Sequence, residues 1–485
     1  MRRKIFGIGK VLLFLVLLGV CFTKVTEVLE RKTSDVKYTP FFQQEADYDV
    51  LFMGSSHVVN GVFPMELWKD YGIVSYNFGG HGNQMGTTYW VMQNALDYTT
   101  PKLMVIDVFG VHEQQKHSVT AEQMHEAFDA FPMSRTKYYM VQDLFDDETE
   151  EVYASRWEYF WDFGKYHSRW NDLKTEDFQR SLNKEKGAES RIDVAEPADY
   201  PICDKEEVLQ EDTVAMEYLC KMIEECQARG IEVLLTHLPY PSEPGYQIAA
   251  NSVYEIAEKY GVNYINFVQM NHVVDYTTDC YDVSSHLNPS GARKVTDYLG
   301  DYIMSHYEIP DRREDADYAQ WQEDYAAYTQ LKYENLQAQT SLDDYLMLLR
   351  DENLNAYVYI AAQSGYLQDP MISKLLNNVR VYDSLPILQQ VVQEDSDYLF
   401  IADNTKAKTM ESALYESEEV FETSMGELIY VRDEQGAPSL RLENGEMDFL
   451  MPQQENGKVL VKVVVFERES GEMVSVFTEE AEAGN

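Results

Sequence analysis

Cysteine and basic side chains are scarce in this chain of 485 residues. The chain has 40 Lys and Arg but 83 Asp and Glu. The resulting formal net charge of -43 repels nucleic-acid phosphates and anionic lipid surfaces. This acidity argues against nucleic acid as a partner and indicates solubility. The cysteines are too few and too irregularly spaced for a disulfide scaffold, with one opportunistic disulfide left open, and they stand at Cys21, Cys203, Cys220, Cys226 and Cys280.

Strong compositional bias is also missing. Hydrophobic residues make up 45% of the chain and 35 residues are Tyr, as in globular proteins, so no segment is predicted to be wholly disordered. Because the length exceeds the usual ceiling for one hydrophobic core, we expect two or more folding units.

The clearest targeting signal lies at the N-terminus. Three basic residues at 2–4 precede the apolar residues 5–22, in which Lys10 is the only charge. Positive charge stays inside, so the rest of the chain is expected outside the cytoplasm. No small-x-small cleavage site follows, and Val20 stands where a lipoprotein signal needs a small residue. We therefore predict an uncleaved membrane anchor over residues 1–30 instead of a removed signal peptide.

Short apolar runs alternate with helical patterns between residues 46 and 305. Runs typical of buried strands are 49–53, 73–78, 103–108, 231–237 and 262–267. Patterns typical of helices are 84–97, 213–229 and 252–260. This alternation predicts an α/β domain whose parallel sheet is covered by helices on both faces.

Three further segments complete the predicted organisation. Residues 111–212 interrupt the alternation and hold the aromatic stretch WEYFW at 157–161, which indicates either a lid over the site or a helical subdomain that packs its own aromatics. Residues 306–345 are predicted to be a charged helical connector. Residues 346–485 form the predicted C-terminal α+β domain, in which 459–466 and 473–477 pair as a β-hairpin around a glycine turn.

Loops that follow the predicted strands carry the residue types needed for acyl transfer by a serine. Serine is a weak nucleophile at its own pKa, so it requires a general base and donors for the oxyanion that forms. The block GSSH at 54–57 follows the first strand and the glycine-rich residues 77–83 follow the second, where parallel sheets bind ligands. His286 stands on a loop before the last predicted helix. We therefore predict Ser56 as nucleophile and His286 as base.

These blocks resemble the SGNH/GDSL hydrolase superfamily. Residues 54–56 match the block of its nucleophile, Gly82 its oxyanion glycine and His286 its terminal base. The stretches GSSH, NFGGHGN, PKLMVID and HLNPSGARKVTDYL are most similar to bacterial extracytoplasmic proteins related to alginate O-acetyltransferases and to the teichoic-acid D-alanylation protein. The resemblance covers about residues 49–305 without the insertion. It implies a flavodoxin-like, three-layer α/β/α fold in which Ser, Asp and His act together.

Two departures from the family pattern bear on the site. The family places its Asp three residues before the His, where this chain has Val283. Asp282 is predicted to orient the imidazole instead, with Asp279 in reserve and a Ser–His dyad as the alternative. The family's GxND block is also missing, so the oxyanion donors must come from elsewhere. The candidates are the N–H of Ser56, the N–H of Gly82 and the side chain of Asn83.

Other polar residues near these blocks have structural interpretations. His57, His81 and His112 lack a fixed ligand spacing and are expected to be hydrogen-bonded structural groups, so we expect neither a metal nor a cofactor. Asn288 and Pro289 are predicted to cap the following helix.

The C-terminal domain resembles a second family. The stretches SLDDYLMLLRD, NAYVYIAAQ and VLVKVVVFERESGEMVSVFTEE are similar to the interleukin-like inducer (Pander-like) domain. That resemblance implies a β-rich module that binds carbohydrate or partners, and it assigns no site residues.

Together these patterns predict an extracytoplasmic O-acyl esterase or O-acetyltransferase, anchored in the cell membrane, that acts on cell-surface or exported glycan. A membrane-bound O-acyltransferase is a candidate partner. The alternative is a catalytically inactive SGNH-like scaffold that binds glycan or such a partner. A plain secreted lipase or esterase ranks third, because the sequence shows no broad apolar stripe for an acyl-chain groove.

Overall fold

The computed structural model describes residues 2–30, 32–145, 155–179, 182–270, 272–380, 385–415, 418–432, 434, 438–443 and 458–481. The chain divides into two compact units. The first comprises Met1–Glu189, Asp199–Val273 and Arg293–Tyr325. The second comprises Ser190–Ala198, Val274–Ala292 and Ala326–Asn485.

The first unit begins with two helices, α1 (Arg2–Leu29) and α2 (Lys32–Gln43). Within α1, the span Ile8–Leu29 contains an 18-residue window with a mean hydropathy of 2.2, and none of that window is buried. This helix is long and apolar enough to cross a membrane, which makes it compatible with the predicted single anchor.

A parallel sheet of five strands forms the centre of the first unit. Its strands are β1 (Val50–Gly54), β2 (Ser75–Gly79), β3 (Leu103–Asp107), β4 (Glu232–His237) and β5 (Asn263–Asn266). Their order across the sheet is β2-β1-β3-β4-β5, which is the flavodoxin-like order. All residues of the first three strands are buried, as expected of a sheet covered on both faces. The predicted flavodoxin-like α/β fold is confirmed.

Helices connect and follow these strands. They are α3 (Ser56–Gly61), α4 (Pro64–Tyr71), α5 (Met85–Ala95), α6 (Ala121–Phe128), α7 (Arg135–Leu144), α8 (Asp162–Tyr166), α9 (Val214–Ala228), α10 (Pro244–Tyr260), α11 (Pro289–His306) and α12 (Gln320–Gln337). Helix α10 begins well before the predicted residue 252. Its first residue is Pro244, and Ser252 lies inside the helix, where its hydroxyl donates to Ile248 O at 3.1 Å.

The aromatic residues of the predicted insertion divide into two groups. Tyr159 is 1% exposed and stacks on His125 with ring centroids 4.3 Å apart. The indoles of Trp157, Trp161 and Trp170 are 74%, 56% and 67% exposed. The insertion therefore packs part of its aromatic content and leaves three tryptophans on the surface.

The second unit is rich in antiparallel strands. One sheet has the order β13-β12-β6-β7-β8 and another the order β11-β10-β9. These strands are β6 (Leu354–Ile360), β7 (Asp397–Asp403), β8 (Lys408–Leu414), β9 (Glu418–Thr423), β10 (Gly426–Arg432), β11 (Pro438–Glu443), β12 (Lys458–Glu467) and β13 (Met473–Ala481). The helices are α13 (Leu342–Leu348), α14 (Pro370–Arg380) and α15 (Pro386–Glu394). The predicted β-rich region and its terminal hairpin are confirmed, with Val464 opposite Val476.

Candidate functional site

Ser56 lies at the carboxyl end of β1, as the first residue of α3. The strand ends at Gly54, where a Cβ would lie 2.6 Å from the Val58 side chain and 2.9 Å from that of Asp107, so only glycine fits there. Ser55 caps α3, because its hydroxyl accepts the N–H of His57 at 3.4 Å. This turn places Ser56, which is half-buried, where the sequence predicted the nucleophile.

The end of β2 packs tightly against the Ser56 turn. The Asn77 amide donates to Val58 O at 2.6 Å and to Val62 O at 2.9 Å. Its carbonyl oxygen accepts the N–H of Gly79 at 2.9 Å, and the N–H of Gly80 donates to Gly54 O at 3.1 Å. Asn77 therefore fixes the two loops against each other. Sequence reasoning noted it within the glycine-rich block and gave it no role, because its partners are carbonyl groups of another turn.

The two remaining candidates for oxyanion donors, Gly82 and Asn83, lie in the loop after β2. Gly82 has φ 69°, and a Cβ there would meet the Gln123 side chain at 2.2 Å. Asn83 is only 5% exposed, and its Oδ1 accepts the Ser118 hydroxyl at 3.4 Å. Its Nδ2 is buried and has no acceptor within the described part of the chain. A buried amide donor of this kind suits an oxyanion or another anionic acceptor.

Asp282 and His286 lie together on a loop of the second unit. The carboxylate accepts the backbone N–H of His286 at 3.1 Å with one oxygen, and its other oxygen lies 2.9 Å from Nδ1. Ser285 has φ 73° and donates its N–H to Asp282 O at 3.1 Å, which makes a tight turn. Val283, at the position of the family's Asp, is 74% exposed. The extra residue is absorbed by the turn, so Asp282 reaches the imidazole from one position further away.

The reserve residue Asp279 has other partners. It is fully buried, and its carboxylate accepts the Ser290 hydroxyl at 2.8 Å, the Asn378 amide at 3.2 Å and the N–H of Asp275 at 2.7 Å. These bonds hold the loop that ends at Asn288. The Asn288 side-chain oxygen accepts the N–H groups of Ser290 and Gly291, so the predicted cap of α11 is confirmed.

Ser56 belongs to the first compact unit, whereas the Asp282–His286 pair belongs to the second. The structure therefore shows each half of the predicted site separately. Their cooperation in one reaction stays the prediction made from the sequence.

Asp107 was missed by the sequence analysis. It ends β3 and is 2% exposed, and it accepts the N–H groups of Leu238 at 2.9 Å and Phe109 at 3.3 Å. Burial raises the pKa of its carboxyl group to about 7. Burial also lowers the pKa of His237, at the end of β4, to about 4. An acidic residue closing an apolar strand was the available signal for Asp107.

Half-exposed rings surround these strand ends. Phe109 lies 4.1 Å from the His57 ring and 5.4 Å from the Tyr240 ring, and Tyr246 lies 4.3 Å from the His112 ring, measured between centroids. His57 Nδ1 is 3.3 Å from Ser55 Oγ. The cluster gives the strand ends an apolar wall beside the residue that follows Ser56.

The other two histidines named from the sequence face acidic groups. His81 Nε2 lies 3.3 Å from the carboxylate of Glu189, and His112 Nε2 lies 3.3 Å from that of Glu113. Burial lowers the pKa of His112 and the carboxylate of Glu113 raises it, with a net lowering. Both histidines thus lie within 3.3 Å of an acidic side chain.

The fold and these groups define a class: an α/β protein of flavodoxin-like strand order, with a serine after its first strand and an Asp–His pair on a separate loop. No protein-family model and no curated protein matches the chain. Among solved structures, one of a protein assigned as an acylhydrolase from Bacteroides fragilis shares 11% identity, covers 56% of this chain and 95% of its own, and has a TM-score of 0.28.

A second solved structure, of a GDSL-like lipase from Bacteroides thetaiotaomicron, shares 12% identity and covers 53% of this chain and 87% of its own, with a TM-score of 0.25. These TM-scores are too low to support an argument about this chain. The fold class rests on the strand order and the all-parallel pairing described above.

Proposed function

We propose that this chain is an SGNH-type serine O-acyl esterase or O-acyltransferase, with Ser56 as nucleophile, His286 as general base and Asp282 as the residue that orients the base. One observation carries the proposal. Asp282 binds His286 through both carboxylate oxygens, to the backbone N–H and to Nδ1, on the loop where the sequence predicts the base.

The Asp282 contact defines what the imidazole can do. When Nδ1 carries the proton that faces the carboxylate, Nε2 carries the lone pair and is the proton acceptor. The carboxylate also stabilises the imidazolium that forms after proton transfer. The geometry of the pair therefore supports the proposed roles of a general base and the carboxylate that orients it.

The proposed reaction has two balanced steps. Ser56 Oγ attacks the acyl carbonyl carbon while its proton passes to His286 Nε2, and the tetrahedral oxyanion collapses by breaking the ester bond. The leaving alkoxide takes the proton from His286, which leaves an acyl ester on Ser56. A water or a sugar hydroxyl then attacks this ester, gives its proton to His286, and releases Ser56 with its proton restored.

Donors for the oxyanion would come from the loops at the ends of β1 and β2. The candidates are the N–H groups of Ser56 and Gly82 and the Asn83 amide, whose Nδ2 is buried without an acceptor in the described residues. Buried donors of this type stabilise the transition state more than the ground state.

The proposed substrate is an O-acylated glycan at the cell surface or in export, with acetyl as the acyl group. Support comes from the apolar N-terminal helix and from the sequence resemblance to polysaccharide O-acylation proteins. Half-exposed aromatic rings beside the Ser56 turn suit the apolar faces of sugar rings. A membrane-bound O-acyltransferase could supply the acyl group if the acceptor is sugar.

The test is hydrolysis of p-nitrophenyl acetate by the full chain in detergent, compared with Ser56→Ala and His286→Ala. Each variant is expected to lose at least about 10³-fold in kcat, because nucleophile and base act as one unit. Ser284→Ala is the matched control, since Ser284 is exposed on the same loop as His286 and has no role in the proposed reaction.

The rival function is an inactive scaffold that binds glycan or a membrane acyltransferase. The displaced Asp and the missing GxND block favour this alternative, and the contact of Asp282 with His286 Nδ1 at 2.9 Å weighs against the first of these two arguments. Unchanged activity in Ser56→Ala and His286→Ala would overturn the proposed mechanism. Binding of O-acetylated glycan by a chain without turnover would favour the scaffold.

A further inference from the structure

The exposed tryptophans of the first unit lie in a short segment of the insertion. Trp161 is 56% and Trp170 is 67% exposed, whereas tryptophan is usually largely buried. Phe163 lies between them in sequence, 6.1 Å from the Trp161 ring. A Cβ at Gly164 would meet the Trp161 ring at 2.6 Å, so the indole lies directly on that glycine. Trp161, Phe163 and Trp170 are called the aromatic surface below.

This aromatic surface is joined to the apolar helix α1. The ring of Phe22 in α1 lies 4.7 Å from the Phe163 ring. The Arg169 guanidinium, next to Trp170 in sequence, donates to Leu29 O at 2.7 Å and also to Glu30 O. The exposed rings are therefore continuous with the end of α1 within one compact unit.

The contact falls where α1 changes from apolar to charged. Phe22 ends the apolar run, and the next turn carries Lys24 and Glu27, whose charged groups are 2.7 Å apart with Lys24 71% exposed. A membrane helix leaves the hydrocarbon where such charged groups begin. Phe163 thus lies level with the boundary between hydrocarbon and headgroups when α1 is inserted.

We propose that Trp161, Phe163 and Trp170 insert into the headgroup layer of the bilayer that α1 enters, and so hold the first unit on the membrane surface at a second point. Tryptophan favours this layer because its ring is apolar and its N–H is polar. The proposal depends on α1 being a membrane helix and is independent of any catalytic role of Ser56.

Charge supports aromatic insertion over attraction to anionic lipid. Residues 155–179 hold four basic and five acidic side chains, and the whole chain carries a formal net charge of -43. Anionic lipid would repel such a protein, whereas insertion of indole rings into zwitterionic lipid is insensitive to this repulsion. The expected lipid partner is therefore a zwitterionic interface.

The experiment uses the full chain in phosphatidylcholine vesicles that contain lipid with a nitroxide either near the headgroup or deep in the acyl chain. The shallow nitroxide is expected to quench tryptophan emission more strongly than the deep one. Trp161→Phe with Trp170→Phe should remove more than half of that quenching. Trp68→Phe is the control and should leave it unchanged, because Trp68 is only 2% exposed.

Salt separates the two driving forces. Quenching that persists when sodium chloride is raised from about 0.05 M to about 0.5 M is expected of aromatic insertion, since screening affects exposed charges only. The proposal would be overturned by absence of shallow quenching, by quenching that survives the double variant, or by its loss at high salt.

Discussion

Asp282 stands four residues before His286, one more than in the SGNH/GDSL pattern that the sequence resembles, and its carboxylate still contacts the imidazole. Ser285 in the left-handed region closes the turn, and Val283 faces solvent, so the extra residue changes the loop and keeps the contact. Asp279, which is fully buried, instead accepts hydrogen bonds from Ser290 and Asn378. Which of two neighbouring carboxylates orients the imidazole is thus decided by a single turn.

The role of Asp282 can be tested by Asp282→Asn. We expect a fall in kcat of about 10² to 10⁴-fold with little change in KM, because the amide favours the wrong imidazole tautomer. Asp282→Ala combined with Val283→Asp, which recreates the family spacing, should not restore activity, since the side chain at 283 points to solvent. Rescue by that double variant, measured as kcat on p-nitrophenyl acetate, would contradict the assignment.

The role of Asn83 as an oxyanion donor can be tested by removing its amide. Asn83→Ala removes the buried Nδ2 donor and should lower kcat by about 10² to 10³-fold while KM stays close to its original value. Ser118→Ala is the matched control, because it removes the hydroxyl that donates to Asn83 Oδ1 and to Thr87 and leaves the Asn83 Nδ2 donor in place. If both variants keep full kcat at unchanged thermal stability, Asn83 is not an oxyanion donor.

Adjacent strands of the central sheet are held together at their carboxyl ends by buried polar side chains. Asn77 ties the end of β2 to the turn after β1, and Asp107 ties the end of β3 to the segment after β4 through Leu238. Each side chain satisfies backbone groups that the strand ladders leave open. The Asn77 bonds also hold the turn that carries Ser56 against the end of β2.

Asp107 makes stability depend on pH in a direction opposite to that of most carboxylates. Its pKa is about 7 in the folded chain, against an ordinary value of 3.8, so between these pH values the folded state binds more protons than the unfolded state. The free energy of unfolding therefore falls as pH rises through this window, by at most about 4 kcal/mol. Asp107→Asn should abolish this contribution, as seen in urea unfolding at pH 5 and pH 7.5.

Comparing the free energy of unfolding of Asp107→Asn with that of the original chain isolates the contribution of Asp107. His237, with a pKa of about 4, is protonated more readily in the unfolded chain and stabilises the fold as pH rises from about 4 to about 6.5. This opposing effect is the same in both proteins. A constant difference in unfolding free energy between Asp107→Asn and the original chain at both pH values would show that Asp107 does not titrate as described.

Each of the two compact units is built from three segments that are not contiguous in the sequence. Residues 274–292, which carry His286, cluster with the C-terminal strands and helices. Cys280 O accepts the N–H of Ala195, and the Asn378 amide donates to the Ser290 hydroxyl at 2.7 Å and to Asp279. The loop of the proposed base therefore depends on the β-rich unit for its support.

A chain ending at residue 325 should lose esterase activity while far-UV circular dichroism still reports the helices of the first unit. Asn378→Ala in the full chain is the milder variant and should lower kcat by about tenfold, the effect of one lost buried hydrogen bond of about 1.4 kcal/mol. Full activity of both the truncated chain and Asn378→Ala would show that the His286 loop is independent of the second unit.

The sequence by itself determined the strands of the central sheet, the caps of its helices, the position of Ser56 directly after β1 and the position of His286 on a loop. These features follow from local patterns, since runs of apolar residues, cap residues and glycines act on the neighbouring chain. Tertiary structure decided that Asp282 faces His286, that Asp107 is buried, that Trp161 and Trp170 stay exposed, and that residues 274–292 pack with the C-terminal unit. These contacts join residues through a turn geometry or across long sequence separations, and pattern alone does not encode such distances.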